Sequence, residues 1–151
     1  AEKVPVITDG ESFINQPMEV GGMQWNVTAV SVGNPHAVVF VDNVDWLDLP
    51  TIGPLFENCP IFPERINTEF VQVIDRTTLK MRVWELESGE TLACGTGSTA
   101  ALAAAVVNGK CEPYAKLQLR GGELNIEWNR DENLIYMTGP AVTVFDGELL
   151  L

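Results

Sequence analysis

The chain has 151 residues, 46% of them hydrophobic, which is enough for one domain with a hydrophobic core. Its 21 acidic and 9 basic residues give a formal net charge of -12, which argues against nucleic acid or an anionic membrane as a partner. No apolar run approaches the roughly 20 residues of a bilayer-spanning helix, so we expect a soluble protein with no membrane partner.

The first third of the chain has the alternating apolar pattern of β-strands. The opening residues lack the basic and apolar regions of a signal peptide. We expect strands at 18–20, 24–32 and 36–41, with Gly21 and Gly22 as a turn. Asp48 and Pro50 then predict the start of a short helix that continues to Asn58 and is ended by Pro60.

The rest of the chain alternates between strand patterns and one long helix pattern. Strands are expected at 68–74 and 79–85, with a polar turn between them. Residues 96–108 contain five alanines and no charge, and Gly95 and Gly109 flank them, which predicts a helix. Because this helix is apolar on all sides, we expect a sheet to enclose it. Further strands are expected at 116–120, 123–128, 134–137 and 142–145.

These elements predict one domain over residues 1–151, without a linker or an internal repeat. The fold class expected is α+β, with a curved antiparallel β-sheet wrapped around one central Ala-rich helix.

The strongest chemical motif is the segment 89–97 (GETLACGTG), which leads directly into the alanine-rich helix. The positive end of a helix dipole favours a thiolate, so we expect the pKa of Cys94 to lie below the usual value of about 8.5. The free amides of the first turn form a site for a carboxylate or phosphate. The alternative is an unreactive buried cysteine.

Other polar residues are candidates for the same site. His36 is the only histidine and follows the rigid turn Gly33-Asn34-Pro35, in which Asn34 offers a donor and an acceptor. Glu85 ends an apolar strand just before the Cys94 segment and is either a solvated strand end or a buried carboxylate. Asn67 follows a loop and is a candidate ligand contact.

Taken together, the motifs resemble the diaminopimelate epimerase family, specifically its C-terminal half. The resemblance covers nearly the whole chain and rests on several ordered motifs, namely GNPH (33–36), FPERINT (62–68), Glu85, SGETLACGTG (88–97), GGEL (121–124) and MTGPA (137–141). It implies a pyridoxal-independent isomerase of lysine biosynthesis that interconverts LL- and meso-diaminopimelate, without a cofactor or a metal.

The resemblance also implies a role for each site residue. Cys94 would be one of two catalytic thiols, and His36 and Glu85 would tune the proton affinity of the thiols. Asn34, Asn67 and Glu85 would contact the substrate. The backbone amides of Gly95 and Thr96 would bind its α-carboxylate.

A two-thiol mechanism requires a second cysteine, and neither Cys59 nor Cys111 precedes a helix in a Cys-Gly context. The three cysteines contain no Cys-x-x-Cys pair, which argues against disulfides and favours a reducing cytoplasm. In the family the second thiol belongs to an N-terminal domain. We therefore expect that domain as a partner, with a homodimer as a further option, and no racemisation by this chain alone.

Two neighbouring positions depart from the family pattern. Leu86 follows Glu85 where the family usually has Arg, and Glu87 stands where Gly is usual. An Arg would bind a substrate carboxylate with a planar pair of donors, which leucine lacks. Three alternatives therefore stay open: a racemase of another amino acid such as histidine, a non-catalytic interaction domain, and a Cys94–His36 acyl-transfer enzyme.

Overall fold

The computed structural model describes residues 4–149, which form an α+β fold. Within this part of the chain there are two α-helices, α1 (Leu49–Glu57) and α2 (Gly95–Val107), and a 3₁₀ turn at Val44–Trp46. The strands are β1 (Gln16–Val20), β2 (Met23–Ser31), β3 (Pro35–Phe40), β4 (Asn67–Asp75), β5 (Thr78–Glu85), β6 (Gly89–Thr91), β7 (Tyr114–Leu119), β8 (Gly122–Asn129) and β9 (Leu134–Thr138).

The strands form one sheet in the order β1-β2-β3-β4-β5-β7-β8-β9, and the short β6 pairs with β5. Neighbouring strands are antiparallel, as expected, except that β3 with β4 and β5 with β7 are parallel. Parallel neighbours require a crossover connection, and each crossover here contains a helix, α1 in the first and α2 in the second.

Each face of the sheet packs against one of the helices. Side chains alternate along a strand, so Val38 and Val71 point towards α2, whereas Val39 and Phe70 pack with Phe56 on the α1 side. All five side chains are at most 1% exposed. The molecule therefore has two hydrophobic clusters that share the sheet as a common wall.

Helix α2 is central, as its composition predicted. It contacts β2, β3 and β4 on one side and β7, β8 and β9 on the other. Four of its alanines are fully buried, Ala100, Ala101, Ala104 and Ala105. Small side chains let the strands approach the helix axis closely, and the sheet curves around it.

Helix α1 begins after Asp48 and contains Pro54, as the sequence indicated. A methyl group at Gly53 would lie 2.2 Å from Cδ2 of Trp84, so only glycine admits the indole against the helix. The Trp84 indole N–H donates to Oε2 of Glu57 at the end of the same helix (2.7 Å).

Besides the parallel pairs, the structure differs from the predicted strands in two places. The strand predicted at 142–145 is wrong, because residues 139–149 lie in no helix or strand, and Val142 and Val144 are 80% and 90% exposed. Apolar alternation alone does not make a strand, and this segment pairs with none of the described strands. Strand β6 was not predicted, since three residues carry too little periodicity. Neither α-helix of residues 4–149 is long and apolar enough to cross a membrane.

Candidate active site

Cys94 is the N-cap residue of α2, and its sulfur lies at the start of the helix. Sγ accepts a hydrogen bond from the backbone N–H of Gly97 (3.3 Å) and lies 3.5 Å from Oγ1 of Thr96. The N–H groups of Gly95 and Thr96 belong to the same first turn, whose donors have no partner within a helix. The structure thus places the thiol at the helix terminus, and the anion site beside it stays a prediction.

The predicted pKa of Cys94 is wrong in direction. Cys94 is 7% exposed, and this burial raises the pKa of its thiol. The hydrogen bonds from Thr96 and Gly97 lower the pKa by less, and the nearby carboxyl groups of Glu69 and Glu85 raise it further. In this chain Cys94 is therefore a neutral thiol near pH 7, because desolvation outweighs the helix terminus.

Asn34 lies in the turn before β3 and connects this turn to the first turn of α2. Its amide Nδ2 donates to Oγ1 of Thr96 (3.3 Å), and its Oδ1 lies 3.0 Å from Nε2 of His36. His36 itself is fully buried and makes no hydrogen bond with Cys94. The histidine is thus linked to the thiol indirectly, through Asn34 and Thr96.

Glu85 lies at the end of β5, half-buried, and its carboxylate accepts a hydrogen bond from the hydroxyl of Thr91. It is close enough to Cys94 to raise the pKa of the thiol. Glu85 is therefore neither a fully solvated strand end nor a fully buried carboxylate, and its role in the site stays a prediction.

Asn67 braces two loops of the site. Its Nδ2 donates to the carbonyl of Pro35 (2.9 Å), and its Oδ1 accepts from the backbone N–H of Leu86 (2.9 Å). The side chain is nearly buried, so it positions the loops at both 33–36 and 85–88.

The unusual Glu87 occupies a left-handed conformation with φ of 64°, which explains why glycine suits this position. Its carboxylate pairs with Arg65 (2.5 Å), and its N–H donates to Glu57 (3.2 Å). These bonds hold the loop, but Leu86 brings no cation to it.

Glu69 is a site residue that the sequence analysis missed. It is fully buried on β4, and its Oε1 lies 2.7 Å from Nδ1 of His36. The available signal was a carboxylate inside the apolar strand 68–74, two residues after Asn67 and therefore on the same face of the sheet.

The other cysteines lie away from Cys94. Cys111 follows the C-terminal end of α2, and a 13-residue helix is about 20 Å long. Cys59 lies beyond α1 and packs against the cluster on the other face of the sheet. Neither is placed to act opposite Cys94.

The chain is similar to proteins of known family. The family model described as diaminopimelate epimerase matches residues 28–144. The diaminopimelate epimerase of Acetivibrio thermocellus is 59% identical over 98% of this chain, and that of Desulfovibrio desulfuricans is 51% identical over 97%. The chain covers 53% of each relative, so it spans about half the length of the curated relatives it matches.

Among solved structures, a hydroxyproline epimerase from Agrobacterium vitis with bound trans-4-hydroxy-L-proline has a TM-score of 0.54 at 15% identity. It covers 76% of this chain, which corresponds to 40% of the epimerase. A phenazine biosynthesis protein of the PhzF family from Bacillus anthracis has a TM-score of 0.51 at 19% identity, over 83% of this chain and 36% of that protein. These likenesses show a shared fold.

Fold and site together define an α+β domain with a cysteine at the start of its central helix. The family model matches most of the chain, and the two curated relatives are 59% and 51% identical to it, which shows the family. The chain belongs to the diaminopimelate epimerase family.

Proposed function

We propose that this chain is the C-terminal domain of a diaminopimelate epimerase-like isomerase and carries one of its two catalytic thiols. The reaction proposed is the inversion of the α-carbon of LL- or meso-diaminopimelate by proton transfer between two cysteines, without a cofactor. The observation that carries the proposal is the position of Cys94, whose sulfur lies at the N-terminus of α2 beside the first-turn amides.

The helix terminus gives the substrate's α-carboxylate a place to bind. The N–H groups of Gly95 and Thr96 and the helix dipole favour a negative charge there. When the α-proton leaves, charge develops on that carboxylate, and preorganised amides stabilise it most in a site that excludes water.

The neutral state of Cys94 suits one of the two roles in such a reaction. One thiolate removes the proton from one face of the α-carbon, and a thiol returns a proton to the other face. A buried thiol whose pKa is raised is a proton donor. Cys94 therefore acts as the acid in one direction and, once it has given up its proton, as the base in the reverse direction.

The second thiol comes from the other half of the protein in this proposal. Cys59 and Cys111 lie away from Cys94, and the chain spans about half of its relatives. The isolated chain is expected to give no turnover.

The acyl-transfer alternative has weaker support. It needs an imidazole within hydrogen-bonding distance of the thiol, but both ring nitrogens of His36 face other groups, Glu69 and Asn34.

A second substrate has one observation in its favour. Leu86 leaves the loop after β5 without the guanidinium that would bind a distal carboxylate, and Arg65 nearby is paired with Glu57 and Glu87. A racemase of histidine or another amino acid without that carboxylate is the alternative.

The test joins this chain to the part of the Acetivibrio thermocellus relative that it does not cover. Solvent deuterium entering the α-position is then followed for LL-diaminopimelate, histidine and lysine. Exchange into LL-diaminopimelate is expected, and Cys94→Ser should slow it by at least about 100-fold. Cys111→Ser is the matched control and should stay near the wild-type rate. Exchange into none of the three amino acids contradicts the proposal.

Leu86→Arg separates the two substrate classes in the same protein. If diaminopimelate is the substrate, the added charged hydrogen bonds should raise kcat/KM for it by roughly 10- to 100-fold. If exchange occurs only with histidine or lysine, the alternative substrate is correct.

A further inference from the structure

Glu69 is a buried carboxyl group to which the proposed reaction assigns no role. It lies on β4, points towards the start of α2, and is 0% exposed. Its Oε1 lies 2.7 Å from Nδ1 of His36, whereas its Oε2 is buried and has no hydrogen-bonding partner among residues 4–149. Burying a carboxyl group is costly unless a specific interaction compensates for it, so a role for Glu69 is to be sought in its contact with His36.

The hydrogen bonds around His36 fix where its protons are. Because Nδ2 of Asn34 donates to Thr96, Oδ1 of Asn34 faces Nε2 of His36, which must carry a proton. At the other nitrogen, either Nδ1–H donates to the Glu69 carboxylate or the protonated Glu69 donates to Nδ1. In both cases one proton lies between Glu69 and His36, and Nε2–H points at Asn34.

The same carboxyl group borders the thiol. A methyl group at Gly97 would lie 2.6 Å from Oε1 of Glu69 and 3.1 Å from Sγ of Cys94. Glycine at this position therefore leaves room for both the carboxyl group and the sulfur beside the first helical turn.

We propose that Glu69 is a positioning residue that, through one proton shared with Nδ1 of His36, holds the ring so that its Nε2–H orients Asn34 beside Thr96 and Cys94. The inference deepens the proposed function and rests on it for its catalytic consequence. The Asn34 side chain is partly exposed beside Thr96, and Glu69 acts on it through His36. Burial raises the pKa of Glu69, which is consistent with a carboxyl group that retains the shared proton.

The first test is spectroscopic and needs no activity. His36 is the only histidine of the chain, so ¹⁵N-histidine labelling gives the signals of a single imidazole. We expect one low-field, exchange-protected proton shared between Nδ1 and Glu69, and a protected proton at Nε2. Glu69→Leu should abolish the first and speed the exchange of the second, whereas Glu69→Gln should shift the Nδ1 resonance and keep the Nε2 proton.

Thr68→Val is the matched control, since Thr68 is the neighbouring fully buried residue whose Oγ1 also has no described partner. It should leave both imidazole signals unchanged. Wild-type ring protons that exchange as fast as those of Glu69→Leu overturn the inference. Because Glu69→Leu risks misfolding, Glu69→Gln gives a second criterion: an unshifted Nδ1 resonance in that variant also overturns it.

The second test uses the joined protein and the deuterium-exchange assay. Glu69→Leu should lower kcat by roughly 10- to 100-fold, as expected when a reacting group is displaced, and Glu69→Gln should restore most of the rate. A kcat for Glu69→Leu equal to that of Thr68→Val overturns the inference. If the wild-type protein exchanges no amino acid but the imidazole signals behave as expected, the positioning role stands and the proposed function fails.

Discussion

At the scale of single residues, the site is a set of polar groups held by one another in a largely apolar environment. The thiol of Cys94 shows the balance most clearly, because a helix terminus and two carboxyl groups act on it in opposite directions. Burial decides the outcome and raises the pKa of the thiol. The fraction of Cys94 present as thiolate therefore depends mainly on how far the thiol is shielded from water.

Alkylation measured against pH tests this balance. The rate with iodoacetamide follows the thiolate, so Cys94 should reach half of its maximal rate above the usual cysteine pKa of about 8.5. The other cysteines are internal references. The half-buried Cys59 should react first, and Cys111, whose pKa burial raises to about 11, should react last. Peptide mass spectrometry resolves the three sites, and a Cys94 midpoint below pH 8 contradicts the prediction.

Gly97→Ala tests the crowding between Glu69 and Cys94. The added methyl group would overlap Oε1 of Glu69 at 2.6 Å, so the free energy of unfolding should fall by about 1–3 kcal/mol even though alanine favours helices. Urea denaturation measures the change. Thr99→Ala in the same helix loses only a hydroxyl bond to the Gly95 carbonyl and should stay close to wild type. Equal stabilities for the two variants would show that the space beside Glu69 is larger than the structure indicates.

At the scale of elements, the two helices have different packing requirements. Helix α2 is enclosed by strands, whereas α1 covers the outer face of the sheet and admits Trp84 at Gly53. The polar bond from Trp84 to Glu57 then fixes the orientation of the indole.

Gly53→Ala should destabilise the domain, because the new methyl group would lie 2.2 Å from Cδ2 of Trp84. The clash with the rigid ring costs up to about 3 kcal/mol and alanine gains roughly 1 kcal/mol over glycine in a helix, so the expected net loss is about 2 kcal/mol. Thermal or urea unfolding gives the value. In a Trp84→Leu background the same change should be nearly neutral or stabilising, and an identical loss in both backgrounds would assign the effect to something other than the indole.

Most elements could be predicted from the sequence, since their signals are local. The alanine run predicted α2, and alternating apolar residues predicted the strands that became β1–β5 and β7–β9. The parallel pairs could not be predicted in this way, because strand direction depends on which edge a crossover reaches. The prediction of a strand at 142–145 was wrong because alternating apolar residues do not show whether a partner strand exists.

The sequence identified several residues of the candidate site, but not the hydrogen bonds between them or the pKa of Cys94. Cys94, Thr96, Asn34 and His36 do converge. The roles proposed for them still await experiment. Glu69 was missed because a carboxylate in an apolar strand has no sequence motif, and the reversed pKa of Cys94 depends on burial, which only the folded chain defines.

At the scale of the whole molecule, the C-terminal segment 142–149 exposes several apolar side chains to solvent. Val142, Val144, Phe145 and Leu149 are 80–90% exposed, in a chain that spans about half of its relatives. Exposed apolar side chains in such a cluster mark a contact surface. The proposed complementary half is the expected partner.

Hydrogen–deuterium exchange tests this expectation. The amides of residues 142–149 should exchange rapidly in the isolated chain and slowly in the joined protein. The amides of α2 are the internal control, because they are buried in both. Equally fast exchange of 142–149 in both proteins would show that the complementary half does not cover the segment.

The alanine-rich α2 also determines how closely the sheet curves around it. The curvature of the sheet follows from the thickness of the helix that it surrounds, and alanine is the thinnest residue that still favours a helix. Larger side chains at Ala100 or Ala104 would push the surrounding strands outward and carry the turn with Asn34 away from Thr96. The small alanine side chains along α2 thus determine how far apart the groups around the Cys94 thiol lie.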